Sequence, residues 1–181
     1  MRKVLFSFCV AIFLLSCNNN KTTTAEGSTT SKDSTTAATP ADLPYKPSYS
    51  SNWSNDVSDA DLKMVLTTYK DWADNNMADL SNSMADTVEV DFASGEHFKN
   101  SKAQLMKMWT TYRDSLSSVT IDMQGWNKMY STDKKEGYIV AWYIETDKFK
   151  NGKVDSAYYH DINQVKDGKI IWYSQYKRPK K

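Results

Sequence analysis

Two alternating runs that meet at Asp167-Gly168 restrict the fold of this chain more than any other feature. Tyr158 to Tyr176 reads YYHDINQVKDGKIIWYSQY. An Asp-Gly pair between such runs marks a two-residue hairpin turn, because both turn positions need positive φ. Counting outward from the turn predicts the cross-strand pairs. One face would hold Val165 with Ile170, Asn163 with Trp172, Asp161 with Ser174 and Tyr159 with Tyr176. The other would hold Gln164 with Ile171, Ile162 with Tyr173 and His160 with Gln175. Both faces mix aromatic and polar groups, whereas a sheet resting on a plain core shows one apolar face. One face is therefore expected to line a partly polar cavity.

Several kinds of chemistry are disfavoured. Lys and Arg total 23 against 22 Asp and Glu, so no basic face for nucleic acid is expected. The two cysteines, Cys9 and Cys17, precede any folded region, which leaves no disulfide or thiol chemistry for a domain. With only His97 and His160 present, a multi-histidine metal site is not expected. There is no glycine-rich phosphate loop or nucleophile elbow, and no cofactor is implied.

The first residues, MRKVLFSFCVAIFLLS, place two positive charges before a short apolar run. Residues 1–16 read as a secretory signal, too short to span a bilayer. Leu14-Leu15-Ser16-Cys17 resembles a bacterial lipobox. The resemblance implies cleavage before Cys17, acylation of that cysteine and attachment to the cell envelope. Asn18, where retention signals carry Asp, implies the outer membrane. Residues 17–52 are polar and low in complexity, with Pro40, Pro44 and Pro47 near the end. Such a segment buries too little apolar surface to offset chain entropy and is expected to be a disordered tether.

The domain is expected over residues 53–178. Ser58 with Asp61 forms a capping box, flanked by Val57 and Leu62 as a hydrophobic staple. Leu62, Val65, Leu66, Tyr69, Trp72 and Ala73 then recur at helical spacing. Met77, Leu80 and Met84 suggest a short second helix, and Thr87 to Phe92 alternates as a strand. Ser101 caps a third helix whose stripe is Leu105, Met108, Trp109, Tyr112 and Leu116. Four long strands follow: Val119–Tyr130, kinked at Gly125, then Gly137–Phe149, Val154–Val165 and Lys169–Tyr176. An Asn151-Gly152 turn joins the second and third. Helices segregated towards the N-terminal part argue for an α+β fold, with a bent antiparallel sheet wrapped around three helices.

In this order the elements resemble the nuclear transport factor 2-like superfamily, and its SnoaL-like branch in particular, from about Asp59 to Tyr176. The resemblance is carried by the first helix with Tyr69, the Met84-Ala85-Asp86-Thr87-Val88 entry to a strand, Gly95 before the third helix, and Lys166-Asp167-Gly168-Lys169-Ile170. It implies a cone-shaped sheet with an internal pocket and frequent dimerisation through the outer sheet face. Tyr69, Asp91 and Asp161 occupy positions similar to the catalytic set of ketosteroid isomerase in the same superfamily. By that resemblance Asp91 is a general base, and Tyr69 and Asp161 are hydrogen-bond donors to an enolate oxygen. Phe92 departs from the pattern, where a proline often follows the base. The pocket wall is expected to draw on Trp72, Trp109, Tyr112, Trp142 and Trp172, with Tyr159 and Asn163 making it more polar. His97 and His160 are further candidates, although the hairpin count puts His160 opposite in facing to Asp161.

Three functional readings stay open from the sequence. The first is a lipid-anchored envelope protein whose cone domain binds a small apolar or amphipathic ligand or pairs with itself or another protein. The second is a cofactor-free isomerase or lyase using Asp91. The third is a structural dimeric module whose pocket is plugged by its own aromatic residues.

Overall fold

A computed structural model describes residues 42–180. The signal sequence expected at 1–16, the lipidation site Cys17 and linker residues 18–41 lie outside the described residues. Leu43 onward forms one compact unit. Its helices, strands and buried residues lie almost wholly between Trp53 and Pro179, so the unit carries its own core and meets the criterion for independent folding.

The elements are β1 (Trp53–Ser54), α1 (Asp59–Asp74), α2 (Met77–Asn82), β2 (Met84–Asp91), β3 (His97–Ser101), α3 (Lys102–Arg113), β4 (Leu116–Ser131), β5 (Glu136–Phe149), β6 (Val154–Lys166) and β7 (Lys169–Pro179). Local chemistry sets the helix ends. The Ser58 hydroxyl accepts the Asp61 amide at 3.0 Å, and Ser101 accepts that of Gln104 at 3.4 Å. Asn75 closes α1 in the left-handed region at φ 61°. Contacts with the sheet begin ahead of Trp53: the Tyr49 hydroxyl bonds to Glu136 and Tyr138, and Ser50 bonds to Asp133.

The seven strands form one sheet in the order β1-β4-β5-β6-β7-β2-β3, antiparallel except for the β2–β7 pair. This is the expected α+β class. Long strands with natural twist bend around helices more readily where the ladder is broken. Register shifts occur between Met123 and Gly125, at the expected kink, and between Gln164 and Val165. The Asp167-Gly168 turn has φ of 50° and 70°, as a two-residue hairpin requires.

The second shift corrects the register predicted from the turn. Val165 pairs with Ile170 as counted, but Ile171 is an extra residue, and Gln164 pairs with Trp172, Asn163 with Tyr173 and Asp161 with Gln175. A bulge of one residue exchanges the faces of everything beyond it. Tyr173 and Gln175 therefore turn towards the helices, and Trp172 turns away.

The core lies between the helices and the concave sheet face. Val65, Leu105, Ile139 and Ile170 are wholly buried, with Val88 and Val90 of β2 beside them. Arg113, at the end of α3, is also buried. Its Nε and Nη2 donate to the Trp72 and Ala73 carbonyls, each at 3.0 Å. A cation there satisfies carbonyls and opposes the negative end of the α1 dipole. Arg113→Ala is expected to destabilise the domain by about 2 kcal/mol, read as a lower urea midpoint, because it strips two charged hydrogen bonds from partly buried carbonyls.

Candidate functional site

Period-two alternation points three strands at the same space. On β5 it aligns Ile139, Ala141, Tyr143, Glu145 and Asp147. On β6 it aligns Tyr159, Asp161, Asn163 and Val165, with Tyr143 paired to Tyr159 and Ala141 to Asp161. Past the bulge, β7 adds Tyr173, Gln175 and Lys177. Helical spacing brings Tyr69 and Trp72 from α1, and Trp109 and Tyr112 from α3, onto the opposite wall. Between them is a cavity of about 390 Å³. Phe92 and Glu96, from the turn between β2 and β3, also line it.

The walls are aromatic. Trp72 and Tyr112 stack at 6.2 Å with planes 6° apart, and Tyr143 and Tyr159 at 5.3 Å and 10°. Trp109 meets Tyr173 edge-on at 6.2 Å and 89°.

Behind the wall lies a buried carboxylate network. Asp161 is 0 % exposed, and its Oδ2 accepts from Tyr143 at 2.7 Å, Tyr173 at 3.1 Å and Tyr69 at 3.2 Å. Asn163 donates to the Tyr69 hydroxyl at 3.1 Å, and Gln175 to that of Tyr173 at 2.6 Å. These amides leave each phenol free to point its proton at Asp161. Burial pushes the Asp161 carboxyl up to about 7, against the opposing pull of the three hydroxyls. Burial first, and the Asp161 charge second, raise all three tyrosines well above their ordinary value. Among the described residues the Asp161 Oδ1 has no hydrogen-bond partner. The cavity wall is formed by the tyrosines and stops short of Asp161 itself.

An acidic pair sits on β5. Glu145 is 8 % exposed and faces the cavity. Burial, then the neighbouring Asp147, pushes its carboxyl up to about 8. Asp147 is itself buried and raised by desolvation; its Oδ2 accepts from the Tyr112 hydroxyl at 2.9 Å, and its Oδ1 has no hydrogen-bond partner among the described residues. A carboxyl that stays protonated near neutrality in an apolar cavity can donate a hydrogen bond, move a proton or, once ionised, hold a cation.

The structure brings together Tyr69, Asp161, Asn163, Tyr159, Trp72, Trp109 and Tyr112. It does not bring Asp91 to them. Val90 and Phe92 face inward, so alternation turns Asp91 to the outer face of β2. There its Oδ1 lies 2.7 Å from His97 Nδ1, and Trp172 Nε1 donates to its Oδ2 at 2.8 Å. The His97 bond foremost holds the Asp91 carboxyl below the usual range. Trp172, expected in the pocket wall, is on this outer face because of the bulge. Trp142 is a further correction: it is 40 % exposed and stacks on His160 at 5.2 Å, which in turn meets Tyr176 at 5.9 Å. Both histidines thus lie away from the cavity. Neither Glu145 nor Gln175 was singled out by the sequence. Two acids at i and i+2 in the apolar strand YIVAWYIETDKF were the one available signal.

No protein-family model and no curated protein sequence matches the chain. Solved structures do match. An epoxide hydrolase of the LEH-like type from Mycobacterium tuberculosis superimposes with a TM-score of 0.56 at 6% identity, covering 66% of this chain and 83% of that one. A protein classed as a SnoaL-like polyketide cyclase from a Jannaschia species gives 0.53 at 12% identity, over 67% and 90%. An NTF-2 like protein of unknown function from Burkholderia xenovorans gives 0.51 at 14% identity, over 67% and 85%. At such identities the likeness is one of fold. The unit from Leu43 onward has the nuclear transport factor 2-like fold.

Proposed function

We propose that this protein is a lipid-anchored protein of the bacterial cell envelope, probing its surroundings with a cone domain that binds a small, ring-bearing ligand. The observation that carries the binding function is the aromatic cavity of about 390 Å³, within the size range of small-molecule sites and with a few polar groups at one end. This space argues against a pocket plugged by its own side chains. The anchor rests on Leu14-Leu15-Ser16-Cys17 and the polar tether after it. Pairing with a second copy would use the outer sheet face, where Trp142 and Tyr176 are exposed.

A second reading is favoured by one observation. Glu145 offers a carboxyl of raised pKa inside an apolar cavity, as cofactor-free isomerases and lyases require. If the domain moves protons, Glu145 is the group in place to do so, and Asp91 on the outer face has no part in it.

Binding is tested on the Leu43–Lys181 unit by titration calorimetry with benzyl alcohol and naphthalenemethanol. The expected result is one saturable site per chain, weakened at least about tenfold in Trp109→Leu through loss of an aromatic wall. No saturable binding of uncharged or charged aromatic probes would remove the reading. The anchor is tested in the full chain by incorporation of labelled palmitate, which should disappear in Cys17→Ser.

A further inference from the structure

The charge balance of the cavity end is unusual. Glu145 faces the cavity, and Asp147 and Asp161 stand directly behind the wall; all three are more than nine-tenths buried. Buried carboxylates are ordinarily paired with a cation or fully hydrogen-bonded. Among the described residues, no lysine, arginine or histidine forms an ion pair with any of the three. Asp147 and Asp161 each retain a buried oxygen with no partner. Lys177 lines the mouth, but its Nζ is bound to Asp155 at 2.7 Å and lies 5.5 Å from the Tyr159 ring centre. The protein's own ammonium group therefore already uses one aromatic face at the rim. Farther in, Trp72, Tyr112, Tyr143 and Tyr159 line the cavity together with Glu145. Aromatic faces carry negative electrostatic potential and attract cations that have shed water.

We propose that the cavity takes an organic cation, a quaternary or protonated amine attached to a ring or other apolar body, with its positive nitrogen beside Glu145 and its body between the aromatic walls. This rests on the reading of the cavity as a small-molecule site and specifies what enters it. The cation supplies the charge that Glu145, Asp147 and Asp161 lack. The polar groups suit no anion: a carboxylate or phosphate would meet Glu145 directly and two more acids close behind.

Affinity should depend on pH through Glu145. The groups around it are Asp147 on its own strand, Tyr159 and Asp161 on β6, Tyr69 on α1, Tyr112 on α3 and Lys177 on β7. The tyrosines are raised and do not titrate near neutrality. The carboxyls do. A permanent cation favours their ionised forms, so binding should release protons and strengthen as pH rises towards the raised value of Glu145.

The test uses the Leu43–Lys181 unit and three probes of similar shape: benzyltrimethylammonium, benzyl alcohol and benzoate. Calorimetry at pH 7.5 should show the cation bound at least about tenfold more tightly than the alcohol, with no detectable binding of benzoate. Between pH 6 and 9 the affinity for benzyltrimethylammonium, which does not itself titrate, should rise while that for the alcohol stays flat. Glu145→Gln should bring the cation down to the level of the alcohol. The proposal is overturned if the alcohol or benzoate binds as tightly as the cation, if cation affinity is flat with pH, or if Glu145→Gln binds the cation normally. In those cases a working small-molecule site remains. Failure of all three probes to bind would remove both that site and its cationic ligand. The pH series in the unaltered domain does not depend on whether the variant folds.

Discussion

Asp161→Asn is expected to stabilise the isolated domain at pH 8 and to leave it nearly unchanged at pH 4. The reason is linkage. In the unfolded chain Asp161 ionises near pH 4, whereas burial pushes its folded value up to about 7. Between these values the folded state holds a proton that the unfolded state has released. Stability contributed by this group is therefore fully present below pH 4, falls as pH rises to about 7, and is flat beyond. Asparagine imitates the protonated carboxyl and does not titrate. At pH 8 the variant should be more stable by about 4 kcal/mol, the free-energy equivalent of the shift at roughly 1.4 kcal/mol per pH unit. Glu145, raised by burial to about 8, makes the unaltered domain lose further stability as pH rises towards that value. Asp86, Asp91, Asp133 and Asp155 act in the opposite direction. Partners lower them, so their contribution is present above pH 4 and lost below it, outside the window that matters here. Chemical denaturation of both proteins at pH 4, 6 and 8 checks the claim. A variant that is less stable at pH 8 would mean that the three tyrosine bonds outweigh the burial of the charge.

Leu105→Ala should cost about 3 kcal/mol and weaken ligand binding without touching the cavity wall. Leu105 is 0 % exposed and is the innermost residue of α3, which packs against β2. Deleting its side chain leaves a void that the close-packed neighbours Val88 and Val90 can fill only in part. The same helix carries Met108, Trp109 and Tyr112 to the cavity. A loosened α3 lets these walls move, and the gain from a preformed site is lost with them. Urea unfolding should give the stability change. Calorimetry with benzyltrimethylammonium should show a weaker Kd at a temperature where the variant is still folded. An unaltered Kd would show that the walls are held by the sheet and by α1 alone.

The legible parts of the structure are the local ones. Ser58 and Ser101 cap helices where the sequence places them, and Asp167-Gly168 turns as its backbone preferences require. The helix carrying Tyr69 and Trp72, the kink near Gly125 and the α+β class could all be read from spacing. Tyr69 and Asp161 could be associated only through a family resemblance. Their residue spacing of 92 along the chain contains no signal of contact. The candidate site was legible in part for a related reason. The helical aromatics Trp72, Trp109 and Tyr112 lie on stripes that point inward under any sheet register. Trp142 and Trp172 lie on strands, where one residue of register decides the face.

By itself the sequence determined the elements, their ends and their class, because caps, turns and periodicity depend on neighbours a few residues away. The tertiary structure alone decided the chemistry of the cavity. The bulge at Ile171, in a strand that pairs with both β6 and β2, turns Tyr173 and Gln175 in and Trp172 out. The raised acids Glu145, Asp147 and Asp161 owe their character to desolvation by helices and strands distant in sequence. A carboxyl group's pKa follows the medium around it, and that medium exists only when the chain has folded.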